Sequence, residues 1–336
     1  MVTYDVHAHI VPPALAAAIR SDGSQVGIEL AGADDAPVLL VGEVSRGRVH
    51  AGLLDVEARL RAMDVAGVDI QLLSAWVGLM AYGLPTEPGV RWSRLFNETL
   101  AELVGSHPGR FLGLALAPLQ APIEAAGELR RAVTELDLVG VEITTTVNGS
   151  ELDDERLEPF WSAANDLRCL VLVHPDRALP GRTKPRHRLA NTVGNAAETT
   201  VAAVSLACGG VLERHPDLRI CLVHGGGYVP YQVGRLDHAY AATPEQVAGQ
   251  LPHPPSHYLR RLYYDTVTHS PAALRFLIDF AGSDHVVLGS DYPFEMADRT
   301  PLRTLQLVPG VTNREIEKIC NHNVTRLMAQ HSSTEH

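Results

Sequence analysis

Four histidines and one aspartate carry the chemical signal in this sequence. His7 and His9 form an H-A-H pair, His174 closes the run C-L-V-L-V-H, His224 opens H-G-G-G-Y, and Asp291 lies in G-S-D-Y-P-F. Residues i and i+2 of a strand point to the same face, so both imidazoles of H-A-H address one point. Neutral imidazole nitrogens joined by one carboxylate suit Zn2+, and Mn2+ or Fe2+ can take the same donors. His7, His9, His174 and Asp291 are therefore the candidate ligands of one ion. A coordination position left open for water makes such a site catalytic rather than structural. In H-G-G-G, three glycines remove side chains beside the imidazole and let a ligand approach the backbone. Of the remaining histidines, His269 could touch the same pocket. His215, His238, His253, His257, His285, His322, His331 and His336 read as surface residues.

These residues need elements that bring them together. Short β-branched runs cover residues 3–9, 69–75, 111–118, 139–145, 169–174, 219–224, 262–268 and 285–291. Several are continuously apolar, as strands buried on both faces of a parallel sheet should be. Helical patterns lie between them at 56–66, 91–106, 122–135, 154–167, 195–214 and 271–280, with Asp154 and Ser270 as N-caps. Eight β/α alternations predict a (β/α)8 barrel spanning residues 1–336 as one domain, with an open doubly wound sheet as the alternative. In the barrel, every candidate residue falls at the strand C-termini, on the rim where barrel active sites sit. Inserted loops after strand 1 (12–52), after strand 5 (175–195) and before strand 7 (243–258) break the spacing. Loops of this length usually serve as lids or interface arms.

Composition limits the partners. The chain has 28 Lys+Arg against 39 Asp+Glu, a formal net charge of −11. That balance argues against sequence-independent nucleic-acid binding and against docking on anionic lipid. Four separated cysteines, Cys169, Cys208, Cys221 and Cys320, form no C-x-x-C and read as reduced thiols. The apolar stretch 201–212 falls short of the roughly 18 residues a membrane span needs. The N-terminus lacks the pattern of a signal peptide, so a cytoplasmic setting is expected. An anionic substrate calls for a guanidinium that grips it with two hydrogen bonds, and Arg46, Arg48 and Arg235 are candidates for that task. Asn191 and the basic loop around it can face the pocket from strand 5.

Together, H-A-H, V-H-P at 173–175, H-G-G-G at 224–227, V-G-R at 233–235 and G-S-D-Y-P-F at 289–294 resemble the metal-dependent decarboxylase branch of the amidohydrolase superfamily. The resemblance runs over nearly the whole chain, including A-A-E-T-T at 196–200. It implies one Zn2+ per chain, with Mn2+ as the alternative, held by His7, His9, His174 and Asp291 together with a water. It implies that His224 orients and deprotonates that water. Substrate arginines would fall near Arg46 or Arg48 and at Arg235, the last reaching a neighbouring subunit's pocket in a homodimer. The implied reaction is non-oxidative decarboxylation of a small unsaturated or aromatic carboxylate, with Asp291 a candidate to shuttle the proton that replaces carbon dioxide. Hydrolysis of a lactone or amide and hydration of a double bond are the alternatives for the same centre.

Other branches bridge two metals with a modified lysine at the end of strand 4. Here that strand reads V-G-V-E-I-T-T-T, which favours a single ion and leaves Glu142 as the acidic candidate for a second. The chain departs from the branch at the substrate wall. A relative carries tryptophan where Asn191 stands, and V-H-P-W where this chain has His174-Pro175-Asp176. A smaller, polar wall at Asn191 should admit a bulkier or more hydroxylated substrate.

Overall fold

The computed structural model describes residues 1–32, 37–176, 186–247 and 251–328. Eight parallel strands lie in the order β1 (Tyr4–Ile10), β5 (Ile70–Ala75), β6 (Phe111–Leu116), β7 (Gly140–Thr144), β8 (Leu170–His174), β9 (Arg219–Leu222), β10 (Tyr263–Asp265) and β11 (Val286–Val287). The last segment returns to the first. Val6 N–H donates to Leu288 O, Asp291 N–H to His7 O and His9 N–H to Tyr292 O, at 2.8–2.9 Å. These bonds close the sheet into the (β/α)8 barrel and place Asp291 beside the H-A-H pair. Helices on the outside bury apolar stripes against the strands. Ser270 caps one of them, Pro271–Ala281, by accepting from Ala273 N–H. The helical pattern at 195–214 is two helices, Asn195–Cys208 and Val211–Arg214, because Gly209-Gly210 interrupts it and Gly210 takes φ +76°.

The first insertion is more than a loop. It holds the helix Pro13–Asp22 and a three-stranded antiparallel sheet of β2 (Ile28–Ala31), β3 (Val38–Val41) and β4 (Val44–Arg48). Gly-rich turns masked the short strands in the sequence pattern. Residues 177–185 of the second insertion, with Arg177, Arg182 and Lys184, lie outside the described residues. The third carries two short helices, Pro244–Val247 and Pro255–Leu259.

A register shift between Asp5 and Ala8 breaks the strict alternation of β1. Val6 packs in the inner cluster with Leu72, Leu114, Leu172 and Val223, yet His7, the next residue, also meets groups of the barrel mouth. A bulge of this kind re-aims a side chain, here turning His7 inward beside His9. Asp5 anchors the bulge from beneath. Its carboxylate accepts from the backbone N–H of His7 (3.1 Å) and Ser290 (3.0 Å), from the Ser290 hydroxyl, and from Gln71 Nε2 (2.9 Å). Asp5 is fully buried and ties the first strand to the last. The substitution Asp5→Ala strands these donors and should lower the unfolding free energy by about 2–4 kcal/mol. Urea unfolding measures this, and a change under about 0.5 kcal/mol would contradict the anchoring role.

Candidate metal centre

Each candidate ligand is oriented by the bond its far nitrogen makes. His7 Nδ1 lies 2.7 Å from Asp265 Oδ2, His9 Nδ1 3.1 Å from Ala75 O, and His174 Nδ1 2.9 Å from Pro175 O. A carboxylate and two carbonyls can only accept, so each Nδ1 carries a proton, and in the neutral ring each Nε2 keeps a lone pair. The three Nε2 atoms turn to one place. His7 Nε2 and His9 Nε2 stand 3.1 Å apart, and each is 3.4 Å from Asp291 Oδ1. His174 Nε2 is buried with no hydrogen-bond partner. Donor atoms of His7, His9, His174 and Asp291 all lie within 4.8 Å of one another, and all four residues are buried.

The donor set fits a divalent ion. Two lone pairs facing each other at 3.1 Å repel unless a cation lies between them. Two ligands at about 2.1 Å from one ion have such a separation. Burial works against charge on His7, but the Asp291 carboxylate and the bond to Asp265 outweigh it and push its pKa up to about 9. The pocket of negative potential thus calls for positive charge. Burial drives His174 well below the ordinary imidazole value, reinforced by His9 and His224. Burial also opposes ionisation of Asp291, yet the charge on His7, with His224 and His9 close by, holds it well below the usual carboxylate range.

Asp265, which the sequence reading passed over, links two parts of the site. Its Oδ1 accepts from Gly225 N–H (2.8 Å) and Val267 N–H (3.0 Å) while Oδ2 holds His7. The run 262–268 puts it mid-strand in the sequence, and only the shorter strand Tyr263–Asp265 brings it to the rim. The glycine turn is needed for this contact. Gly225, Gly226 and Gly227 all take positive φ, and a Cβ on Gly227 would meet Ala196 O at 2.1 Å. His224 sits at φ +55° and Asp291 at +63°, backbone states that non-glycine residues seldom adopt outside functional sites. His224 Nε2 lies 3.7 Å from Asp291 Oδ2, and its ring centroid is 5.2 Å from that of His174. Unlike the four candidate ligands, it remains partly open to the mouth.

Glu142 is buried beside His9, 3.8 Å from Nδ1, the nitrogen that faces away from the centre. Both of its oxygens lack hydrogen-bond partners, and burial pushes its pKa up. It does not join the four-donor group.

A cavity of about 480 Å3 opens onto His224 and Asp291. Tyr231, Phe276, Leu277 and Met296 supply apolar walls, while Asn191, Asn195 and Thr268 supply neutral polar groups. Asn191 sits in a helical turn, Ala190–Gly194, that leads into the helix Asn195–Cys208. His269 lines the same cavity, at φ +55°. No Lys or Arg lines it among the described residues. Arg46 is instead paired with Asp176 at 2.7 Å. Arg48 and Arg235 are exposed and outside the cavity wall. Two histidines read as surface residues are otherwise placed. His215 is buried with Nε2 2.7 Å from Glu158 Oε1, and His285 is half-buried against the Tyr263 ring. His331 and His336 lie outside the described residues.

Comparison with known proteins agrees with this architecture. An amidohydrolase family model matches residues 4–328, and the chain belongs to that family. It is 30% identical over 327 residues to 2-amino-3-carboxymuconate-6-semialdehyde decarboxylase of Dictyostelium discoideum, across 96% of this chain and 90% of the relative. The solved 5-carboxyvanillate decarboxylase of Sphingomonas paucimobilis superposes with a TM-score of 0.82 at 26% identity, covering 98% of this chain and 99% of that one. A dihydroxybenzoic acid decarboxylase of Polaromonas, solved with manganese and the inhibitor 2-nitroresorcinol, shares the fold with a TM-score of 0.77 at 23% identity, covering 98% and 97%.

The raised His7 pKa makes metal uptake pH-dependent. Without an ion, His7 holds a proton up to about pH 9. Metal must displace that proton, so apparent affinity should rise with pH below this value, by up to about tenfold per pH unit. Competition against a chelator of known affinity, from about pH 6 to 8.5, measures the slope. A pH-independent affinity would contradict ligation through His7.

Proposed function

We propose that the protein is a metal-dependent, non-oxidative decarboxylase of a small aromatic or unsaturated carboxylate. The observation that carries this reading is the convergence of three Nε2 lone pairs and Asp291 at the floor of a largely apolar cavity that His224 also faces. Two relatives of at least 26% identity are named for decarboxylation of carboxylated muconate and vanillate compounds. His7, His9, His174 and Asp291 would hold one Zn2+ or Mn2+. The nitrogen-rich donors suit zinc, and the manganese in the Polaromonas structure supports the alternative. A bound divalent ion supplies Lewis acidity, attracting the substrate carboxylate and lowering the pKa of water.

The chain's own residues would do the rest. The apolar walls hold the ring or polyene and exclude water. Asn191, Asn195 and Thr268 pair with neutral polar substituents. His224 Nε2, facing Asp291 Oδ2, is placed to take and return a proton, and Asp291 can pass one to the carbon that loses carbon dioxide. The substitution His224→Ala should retain metal and lose about 10²–10⁴ in rate, measured as carbon dioxide release alongside elemental analysis. Metal-free His224→Ala protein would make His224 a ligand. Acid release from lactones or amides, with no carbon dioxide from any carboxylate tried, would instead favour the hydrolase.

We also propose a homodimer in which Arg235 reaches the partner's pocket. Arg235 is exposed on the helix Val229–Ala242, whose Tyr231 is 81% exposed at the cavity edge beside the half-exposed Phe276. Exposed apolar rings on the helix that carries Arg235 and at the cavity edge favour a covering subunit. Mixed Arg235→Ala and His224→Ala chains would then form heterodimers with one complete pocket. Activity should recover to about a quarter of wild type for random pairing. No recovery in a sample shown to exchange subunits would remove Arg235 from the site.

A further inference from the structure

Asp265 closes β10, and three parts of the rim meet on its buried side chain. One oxygen, Oδ2, accepts from His7 Nδ1 at 2.7 Å. The other, Oδ1, accepts from Gly225 N–H at 2.8 Å and from Val267 N–H at 3.0 Å. The third part is the segment that leads to Asp291. A Cβ on Gly289 would stand 3.0 Å from Asp265 Cβ and 3.1 Å from His7 Cβ. Thr266, the next residue, brackets Gly289, its hydroxyl donating to the glycine carbonyl (3.3 Å) and accepting from the glycine N–H (3.1 Å).

His224 depends on this arrangement more than the candidate ligands do. His7, His9 and His174 each have Nδ1 engaged behind the ring. The Nδ1 of His224 is buried with no hydrogen-bond partner among the described residues, and its Nε2 stands 3.7 Å from Asp291 Oδ2. The ring is therefore placed by its backbone. That backbone is a tight turn, with φ +55° at His224 and +60° at Gly225, and with Gly226 N–H donating to Val223 O and Gly227 N–H to His224 O, both at 3.1 Å. The bond from Gly225 N–H to Asp265 ties the residue next to His224 to the carboxylate that orients His7.

We propose that Asp265 is a positioning residue that makes metal loading and the placement of His224 interdependent. A shift of His7 changes the load on Oδ2, and a shift of the turn changes the load on Oδ1 of the same carboxylate. The inference rests on the metal centre and the role of His224 proposed above, and deepens that reading. Buried away from water, neither oxygen has a substitute partner for the bond it would lose. Coupling between two sites is reciprocal, so a disturbance of the turn that weakens metal binding also shows that metal steadies the turn.

The test is the Zn2+ affinity of the full chain, by competition with a chelator at one pH, for wild type, Gly225→Ala, Asp265→Asn and the double variant. Gly225→Ala touches no candidate ligand, but alanine resists φ +60° and its Cβ would meet Thr268 Cγ2 at 2.8 Å, so the turn must move. Zn2+ binding should weaken about tenfold. An asparagine amide has one oxygen, so it can keep the bond to the turn or the bond to His7, not both. Asp265→Asn alone should weaken Zn2+ binding by about 10- to 100-fold. Adding Gly225→Ala to it should cost less than about twofold more. Affinity unchanged within about twofold in Gly225→Ala would overturn the role given to Asp265, and so would an equal loss in both backgrounds, which would route the coupling through Asp291. Should a variant fail to fold, hydrogen exchange of the Gly225 amide in wild type decides. Zn2+ should slow it about tenfold or more, and a rate unchanged within about twofold would overturn the coupling. Failure of wild type to bind Zn2+ or Mn2+ would overturn the metal centre, and this inference with it.

Discussion

The mouth of this barrel is organised around unshared lone pairs. Three imidazole Nε2 atoms and one carboxylate oxygen are buried together, and none of the imidazoles can relieve the crowding by turning over, because each Nδ1 is engaged behind it. Such a cluster is stable only with positive charge at its centre. The raised pKa of His7 is the response of the protein to that demand when a proton is the available cation. A divalent ion satisfies it with four ligands instead of one.

Much of the surrounding structure keeps the cluster from relaxing. Asp5 pins the bulge that turns His7 inward and holds Ser290 next to Asp291. Asp265 joins His7 to the glycine turn that carries His224. Arg59, fully buried, donates to His9 O and Gln71 Oε1 from outside the strands and stacks over the Tyr292 ring. The ring closure between β1 and the segment ending at Tyr292 is part of the same support. The positive φ of His224 and Asp291 can persist because these contacts over-determine both positions.

The grouping of the four candidate ligands was legible because strand periodicity and barrel topology are simple rules. H-A-H on one face, with His174 and Asp291 at other strand ends, needs no knowledge of the loops. The supporting groups were less legible. Asp265 looks like any aspartate within a strand run until its two oxygens are seen to divide between a ring nitrogen and backbone amides. The bulge in β1 is invisible to a rule of strict alternation, although the rule still pairs His7 with His9. The small antiparallel sheet leaves little trace in the sequence because its strands are four or five residues long and separated by turns. The resemblance implies a substrate arginine near Arg46 or Arg48, but the bond of Arg46 to Asp176 joins residues 130 positions apart, and no local pattern reports that. His215 was misplaced for the same reason, since Glu158 lies 57 positions away.

The central claim is that His7, His9, His174 and Asp291 hold a single divalent cation. Anomalous diffraction from a crystal, collected on both sides of the zinc and manganese absorption edges, addresses it directly. The account predicts one strong peak within about 2.0–2.2 Å of the three Nε2 atoms and Asp291, with Glu142 outside its coordination sphere. No peak at that position in crystals grown with either metal, or a peak bound instead through Glu142, would contradict it.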